Sequence, residues 1–194
     1  MFTRDEIKDL VVALAITILI FSSGMYRQPI LSLVTVLSNP KLLLYVITVV
    51  TISLVPHEFL HKYVAMKLGY PARYMLSKRL ALLSLISILL PFKIIATGYV
   101  AVFSWYPIPR RDEGLIAVAG PTINLILALA TTTLYVVLGN FLLWFIAWIN
   151  SLILFFNLLP IPPLDGWRIL KWSFKLWITI FLISIALLVV TYVV

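Results

Sequence analysis

Apolar residues occupy most of this chain in long runs, and short polar segments between them carry most of the charges. A helix needs about 20 apolar residues to cross the hydrocarbon core of a bilayer. Measured against that length, the pattern predicts five helices, at residues 10–25, 41–64, 115–138, 142–159 and 174–194. We therefore expect an all-α polytopic membrane protein with about five to six transmembrane helices.

The apolar segment at residues 80–103 differs from the others because Pro91, Lys93 and Gly98 interrupt it. Its length suits either one span or two arms of half depth. We predict a re-entrant segment with extended backbone in 94–103, which is tolerated in a membrane only where it is buried in protein or lines a cavity. A single span is the alternative, and it would reverse the orientation of the later helices in the membrane.

The basic residues predict the orientation of the chain in the membrane. Cytoplasmic loops are enriched in Lys and Arg. If the N-terminus is cytoplasmic and segment 80–103 enters and leaves on the same side, 12 of the 15 basic residues lie in the cytoplasm, and the exceptions are Arg27, Lys41 and Lys93. We therefore expect a multi-pass protein of the cell membrane with a cytoplasmic N-terminus.

Composition supports the membrane class and narrows the chemistry. The chain has 194 residues, of which 63% are hydrophobic and 11% are charged. This composition is not that of a soluble domain, and we expect residues 1–194 to form a single membrane-embedded domain. The net charge of +8 comes from basic residues in the loops. Membrane orientation explains their position better than nucleic-acid binding does. With no cysteine, any bound metal must be held by His, Asp or Glu.

Both histidines of the chain lie in one pentapeptide, His57-Glu58-Phe59-Leu60-His61, at the end of the second apolar run. An ionisable group in such a segment costs roughly 2.5 kcal/mol or more, so it requires a partner, a metal or a polar cavity. Residues i and i+4 share a helix face, so His57 and His61 can bind one ion. Glu58 is offset around the helix and can reach a water beside that ion, as in H-E-x-x-H motifs.

Catalytic zinc takes three protein ligands and leaves one position open for water, so this site needs one further ligand. Of the seven acidic residues, Asp5, Glu6 and Asp9 flank the first helix, and Asp112 and Glu113 adjoin two arginines. Apart from Glu58, only Asp165 remains, at the predicted cytoplasmic end of the fourth helix. We therefore predict that His57, His61 and Asp165 bind zinc at the cytoplasmic side of the membrane.

The chain resembles the site-2 protease family of intramembrane zinc metalloproteases. The resemblance rests on His57-Glu58-x-x-His61, on Gly120-Pro121-x-x-Asn124, and on Asn157-x-x-Pro160-x-x-x-Leu164-Asp165-Gly166. It covers about residues 42–170 and is closest to compact archaeal and bacterial members without PDZ or CBS domains. Leu60 is a small departure, since many members have Gly or Ala there.

The resemblance implies a three-helix catalytic core and one Zn²⁺ per chain, held by His57, His61 and Asp165. It also implies that Glu58 is the catalytic acid/base, and that the substrates are single-span membrane proteins cleaved in their transmembrane segments within the lipid bilayer. We expect Asn157 to donate a hydrogen bond to the developing oxyanion.

Other interpretations remain open at this point. Asn124 and Asn157 could serve only as interhelical hydrogen-bonding residues, and Gly120 only as a close-packing residue. A catalytically inactive relative would act as a membrane-protein binding module, although the intact Glu58 argues against it. A zinc or proton transporter would need polar residues at several depths in the membrane, along a transport path. In this chain the polar residues of the membrane segments are expected at a single depth.

Overall fold

The computed structural model describes residues 2–24, 28–90 and 93–193. Within these ranges the chain forms eight α-helices and two short strands. In chain order they are α1 (Arg4–Gly24), α2 (Pro29–Ser38), α3 (Pro40–Lys67), β1 (Ala72–Leu76), α4 (Lys78–Ile86), β2 (Gly98–Val102), α5 (Arg110–Leu138), α6 (Phe141–Asn157), α7 (Asp165–Trp172) and α8 (Phe174–Val193).

Four of the helices are long and apolar enough to cross a membrane, namely α1, α3, α5 and α8. Helix α6 is apolar but has 17 residues, and α2 has 10. The expected class of all-α polytopic membrane protein is confirmed, and each of the five predicted apolar segments contains a helix. A count of five to six spans stays a prediction. Met25 and Val194, the predicted ends of two helices, lie outside the described residues.

The ends of α5 and α6 follow from the local sequence. Helix α5 ends where Gly139 takes a left-handed conformation with φ of 61°, which glycine adopts without steric cost. The side chain of Asn140 then accepts a hydrogen bond from the backbone N–H of Leu142, and so caps the first turn of α6. Helix α6 ends at Asn157, just before Pro160, because proline lacks the backbone donor that a helix needs.

Segment 80–103 contains a short helix, a 3₁₀ turn and a strand. Helix α4 has nine residues and leads into the turn at Ser87–Leu89. Strand β2 follows and pairs with β1 in a two-stranded sheet, which confirms the expected extended backbone. Pro91, one of the predicted interruptions, lies outside the described residues. No spanning helix lies in the described part of this segment, and its re-entrant placement in the membrane stays a prediction.

The chain divides into two compact units, of which the first comprises Met1–Leu54 and Arg73–Ala101. In this unit the carboxylate of Glu6 accepts a hydrogen bond from the backbone N–H of Tyr74, at 3.0 Å. Asp9 accepts one from the N–H of Leu76, at 3.1 Å. Two acidic side chains of α1 therefore bind backbone donors of β1, which gives them a structural role in this unit.

The second unit comprises Val55–Ala72 and Val102–Val194, and it contains the C-terminal part of α3 together with α5 to α8. Its apolar core includes Leu154, Leu158, Ile169 and Trp177. A Cβ atom on Gly114 would lie 2.5 Å from the Cβ of Trp172, so α5 and α7 approach closely only because position 114 has no side chain. The single-domain prediction for residues 1–194 is not tested by this division and stays a prediction.

Candidate metal site

The two histidines project from the last turns of α3, within the second unit. His57 and His61 are 3% and 6% exposed, and their Nε2 atoms lie 3.1 Å apart. Residues i and i+4 lie on the same face of a helix, so the two rings can meet. The α3 helix therefore presents two buried imidazole nitrogens at one point.

Asp165 is the first residue of α7 and faces the same point. Its Oδ2 atom lies 3.2 Å from Nε2 of His61 and 3.5 Å from Nε2 of His57. The next residue, Gly166, lies against the end of α6, where a Cβ atom would collide with the backbone carbonyl of Leu158. That carbonyl also accepts a hydrogen bond of 2.9 Å from Nε1 of Trp177. Close packing against α6 and α8 thus positions the start of α7.

The spacing of these three side chains fits zinc. The candidate ligand atoms of His57, His61 and Asp165 all lie within 4.8 Å of one another. Nitrogen and oxygen ligands about 2.0 Å from a tetrahedral zinc ion lie about 3.3 Å apart, and the three distances are 3.1, 3.2 and 3.5 Å. These residues could therefore form a metal site, as the sequence predicts.

The electrostatics of the site favour the ionised carboxylate of Asp165. Burial by itself would raise the pKa of this carboxyl group, but the charge of His61 and hydrogen bonds from both histidines outweigh burial. Together they hold the pKa of Asp165 below its usual range. This effect belongs to protonated imidazoles. A bound metal cation would replace those protons, and it binds the same ionised form of the carboxylate.

Hydrogen bonds at Nδ1 fix the orientation of both imidazole rings. Nδ1 of His61 lies 2.7 Å from the backbone carbonyl oxygen of Ile116, and Nδ1 of His57 lies 2.5 Å from Oδ1 of Asn124. Metal-binding histidines usually donate their second ring N–H to such an acceptor. Both Nε2 atoms are thereby directed towards Asp165. The amide of Asn124 is in turn bonded to Asn150, which no sequence motif singles out.

Gly120 on α5 allows that helix to pass directly beside the ligand atoms. A Cβ atom on Gly120 would lie 2.7 Å from Nε2 of His57 and closer still to Nε2 of His61. Any larger residue would occupy the space in front of the two nitrogens. The glycine of the Gly-Pro-x-x-Asn motif therefore keeps this space open, and its packing role is specific to the site.

Glu58 lies beside the candidate ligands and is 8% exposed. Its carboxylate interacts electrostatically with His57, His61 and Asp165. The carboxylate of Glu58 therefore belongs to the same cluster as the three candidate ligands.

Asn157, the predicted oxyanion donor, is half-buried at the end of α6. Its side-chain amide donates a hydrogen bond of 3.1 Å to the carbonyl of Ile153 in the same helix. Because this bond stays within one helix, it gives no support for a role as an interhelical contact. The proposed role at the oxyanion stays a prediction.

Comparison with known proteins identifies one family. The model of a family described as Peptidase family M50 matches residues 45–141 and 139–190. A protein of Methanocaldococcus jannaschii named "Putative zinc metalloprotease MJ0611" is 30% identical over 187 residues, which cover 91% of this chain and 88% of that protein.

Two bacterial relatives carry similar names. "Putative zinc metalloprotease YwhC" of Bacillus subtilis is 35% identical over 68% of this chain and 69% of its own length. "Putative zinc metalloprotease Rip2" of Mycobacterium tuberculosis is 34% identical over 62% of this chain and 53% of its own length. No solved structure gives a significant match.

Proposed function

Because the chain belongs to peptidase family M50, the site-2 protease family, we propose that it is an intramembrane zinc metalloendopeptidase. Its substrates would be single-span membrane proteins, cut within or near their transmembrane segments during regulated intramembrane proteolysis. One observation carries the proposal. Two imidazole nitrogens of the apolar helix α3 and one carboxylate oxygen of α7 lie at the spacing of zinc ligands, next to the buried carboxylate of Glu58.

In this proposal His57, His61 and Asp165 hold one zinc ion. When bound, zinc supplies Lewis acidity, which polarises the scissile carbonyl group and makes water a nucleophile near neutral pH. The carboxylate of Glu58 accepts a proton from the attacking water as its oxygen bonds to the carbonyl carbon. Glu58 then gives that proton to the amide nitrogen as the C–N bond breaks, so the same residue acts as base and acid.

The membrane location of the site supports this substrate class. His57, Glu58 and His61 are buried in α3, a helix apolar enough to span the bilayer. A peptide bond inside a transmembrane helix has its polar groups satisfied within that helix. The substrate must therefore unwind locally before water attacks, and segments that form unstable helices are the expected cleavage sites.

A reconstituted assay tests the proposal. The full chain is purified, loaded with zinc and placed in liposomes with a single-span substrate that carries a different tag at each end. We expect cleavage within or near the span, mapped by mass spectrometry, and loss of cleavage when a zinc chelator is added, with recovery when zinc is restored. Cleavage that resists chelation would contradict the metallopeptidase proposal. A zinc-loaded protein that binds but never cuts its substrates would favour a binding module.

We also propose that the N-terminus and the metal site face the cytoplasm, as the basic residues predict. The absence of cysteine makes single-cysteine labelling clean. In intact cells, an impermeant maleimide should label Leu138→Cys, at the end of α5, while Lys175→Cys, at the start of α8, should react only after permeabilisation. Both positions are exposed, and the unsubstituted chain is the blank. The opposite labelling pattern would show the reverse orientation.

A further inference from the structure

A chain of buried hydrogen bonds connects His57 to α6 through α5. Nδ1 of His57 is bonded to Oδ1 of Asn124, at 2.5 Å, and Nδ2 of Asn124 donates to Oδ1 of Asn150, at 2.8 Å. Nδ2 of Asn150 donates to the backbone carbonyl of Ile146, also at 2.8 Å. Both asparagines are 0% exposed. We call these two side chains, with the Ile146 carbonyl, the asparagine relay.

The Ile146 carbonyl sets the direction of every bond in the asparagine relay. A carbonyl oxygen can only accept, so the amide atom of Asn150 that faces it must be the donor Nδ2. The other atom, Oδ1, then faces Asn124 and requires a donor there, which places Nδ2 of Asn124 towards Asn150. Oδ1 of Asn124 is left facing His57. Nδ1 of His57 must therefore carry the proton, and the lone pair stays on Nε2.

His61 reaches the same tautomer without a relay. Its Nδ1 atom is bonded directly to the backbone carbonyl of Ile116, which can never act as a donor. An asparagine side chain is different, because rotating its amide by half a turn exchanges donor and acceptor. Turned the other way, Asn124 would present Nδ2 to His57 and favour a proton on Nε2, the atom needed for the metal. The tautomer of His57 thus depends on the hydrogen bonds that fix the amide orientation of Asn124.

We propose that Asn150 is a positioning residue of the metal site, which acts through Asn124 to keep Nε2 of His57 free for zinc. This inference rests on the proposed zinc function of His57. Partners of this kind, one shell beyond the ligands, typically change metal affinity by about 10 to 100-fold when removed. An asparagine that served only to hold α5 and α6 together would alter stability without selecting a tautomer.

Histidine-selective ¹⁵N NMR provides the direct readout, because the chain contains two histidines in all. The full chain is labelled, stripped of zinc and studied at an alkaline pH above which the ¹⁵N shifts no longer change. In the unsubstituted protein we expect the proton of each ring on Nδ1. In Asn150→Leu we expect His57 to populate both tautomers while His61 is unchanged. Competition with a chelator should show about 10 to 100-fold weaker zinc binding by this variant.

A double substitution separates positioning from packing. A carboxylate presents an acceptor in either orientation, so Asn124→Asp keeps an acceptor on His57 whatever Asn150 does. Within the Asn124→Asp background, Asn150→Leu should therefore alter neither the His57 tautomer nor the zinc affinity. Ser151→Ala is the matched control, because it removes a neighbouring buried polar group of α6 that does not belong to the asparagine relay.

The outcomes distinguish this inference from the proposed function. If the unsubstituted protein binds zinc through His57 and Asn150→Leu leaves both the tautomer and the affinity unchanged, the asparagine relay does not position the ligand. An equal loss of zinc affinity in both backgrounds would assign Asn150 to packing and also overturn the inference. If the unsubstituted protein binds no zinc, the proposed function fails, while the tautomer of His57 still tests the asparagine relay.

Discussion

Replacing Glu58 with Gln is expected to lower the cleavage rate by about 100-fold or more, since general acid/base catalysis contributes about 10² to 10⁴ in rate. The two side chains have nearly the same shape, so the buried surroundings of Glu58 should accept the amide. An amide, however, accepts no proton near neutral pH. The rate is measured with a single-span substrate and fully zinc-loaded protein, so that a change in metal content does not enter the comparison.

Glu113→Gln is the matched control for this experiment. Glu113 lies in the first turn of α5 and is not one of the candidate ligands, and its replacement makes the same chemical change. We expect this variant to cleave at close to the original rate. A Glu58→Gln protein that cleaves as fast as Glu113→Gln would remove Glu58 from the mechanism.

Asp165→Ala is expected to weaken zinc binding and to abolish cleavage at ordinary zinc concentrations. The substitution removes one of three candidate ligands and leaves the buried rings of His57 and His61 without the carboxylate that lies 3.2 to 3.5 Å from them. Two neutral imidazoles on one helix form an incomplete site for zinc, which takes three protein ligands in catalytic centres. Zinc affinity is measured by chelator competition, and cleavage is measured across a zinc titration.

Asp112→Ala is the control for this second prediction. Asp112 also lies in the first turn of a helix, α5, and it also has a side-chain partner, since it accepts a hydrogen bond of 2.7 Å from the Tyr70 hydroxyl. Loss of a favourable acidic residue at a helix N-terminus costs about 0.3 to 1 kcal/mol in either protein. Unchanged zinc affinity in Asp165→Ala would exclude Asp165 as a ligand, whatever the effect on stability.

Much of the fold could be predicted from hydropathy, because a membrane helix must satisfy its own backbone and present an apolar surface. All five predicted apolar segments contain helices. Helix α2 was not predicted, since its 10 residues are too short to span a bilayer and the criterion was one of length. Strand β1 was missed as well, because a pair of five-residue strands leaves little periodic signal in a single sequence.

The candidate ligands could be predicted because the chain offers few alternatives. With two histidines, seven acidic residues and no cysteine, elimination alone leads to Asp165, and the structure brings it within 3.5 Å of both rings. The sequence alone predicts only that Glu6 flanks the first helix. Glu6 is in fact 1% exposed and bonded to the Tyr74 N–H, a contact that depends on how α1 and β1 pack.

The supporting hydrogen bonds could be predicted only in part. The carbonyl of Ile116 has no distinguishing mark in a sequence, since every residue carries one. Asn150 did leave a signal, because it is an amide in the middle of the apolar helix α6, where a polar side chain needs a partner. What the sequence lacks is the pairing of Asn150 with Asn124, which requires the packing of α5 on α6.

The central claim is that one zinc ion is held by His57, His61 and Asp165 and is used by Glu58, which does not bind it. The most direct test is the zinc content of purified Glu58→Gln protein, measured on the same sample as its cleavage rate. We predict about one zinc ion per chain, as in the unsubstituted protein, because three other residues complete the site. We predict that this sample cleaves about 100-fold more slowly than the unsubstituted protein, or slower still. A variant that retains full zinc and full cleavage, or one that loses zinc together with cleavage, would contradict the account.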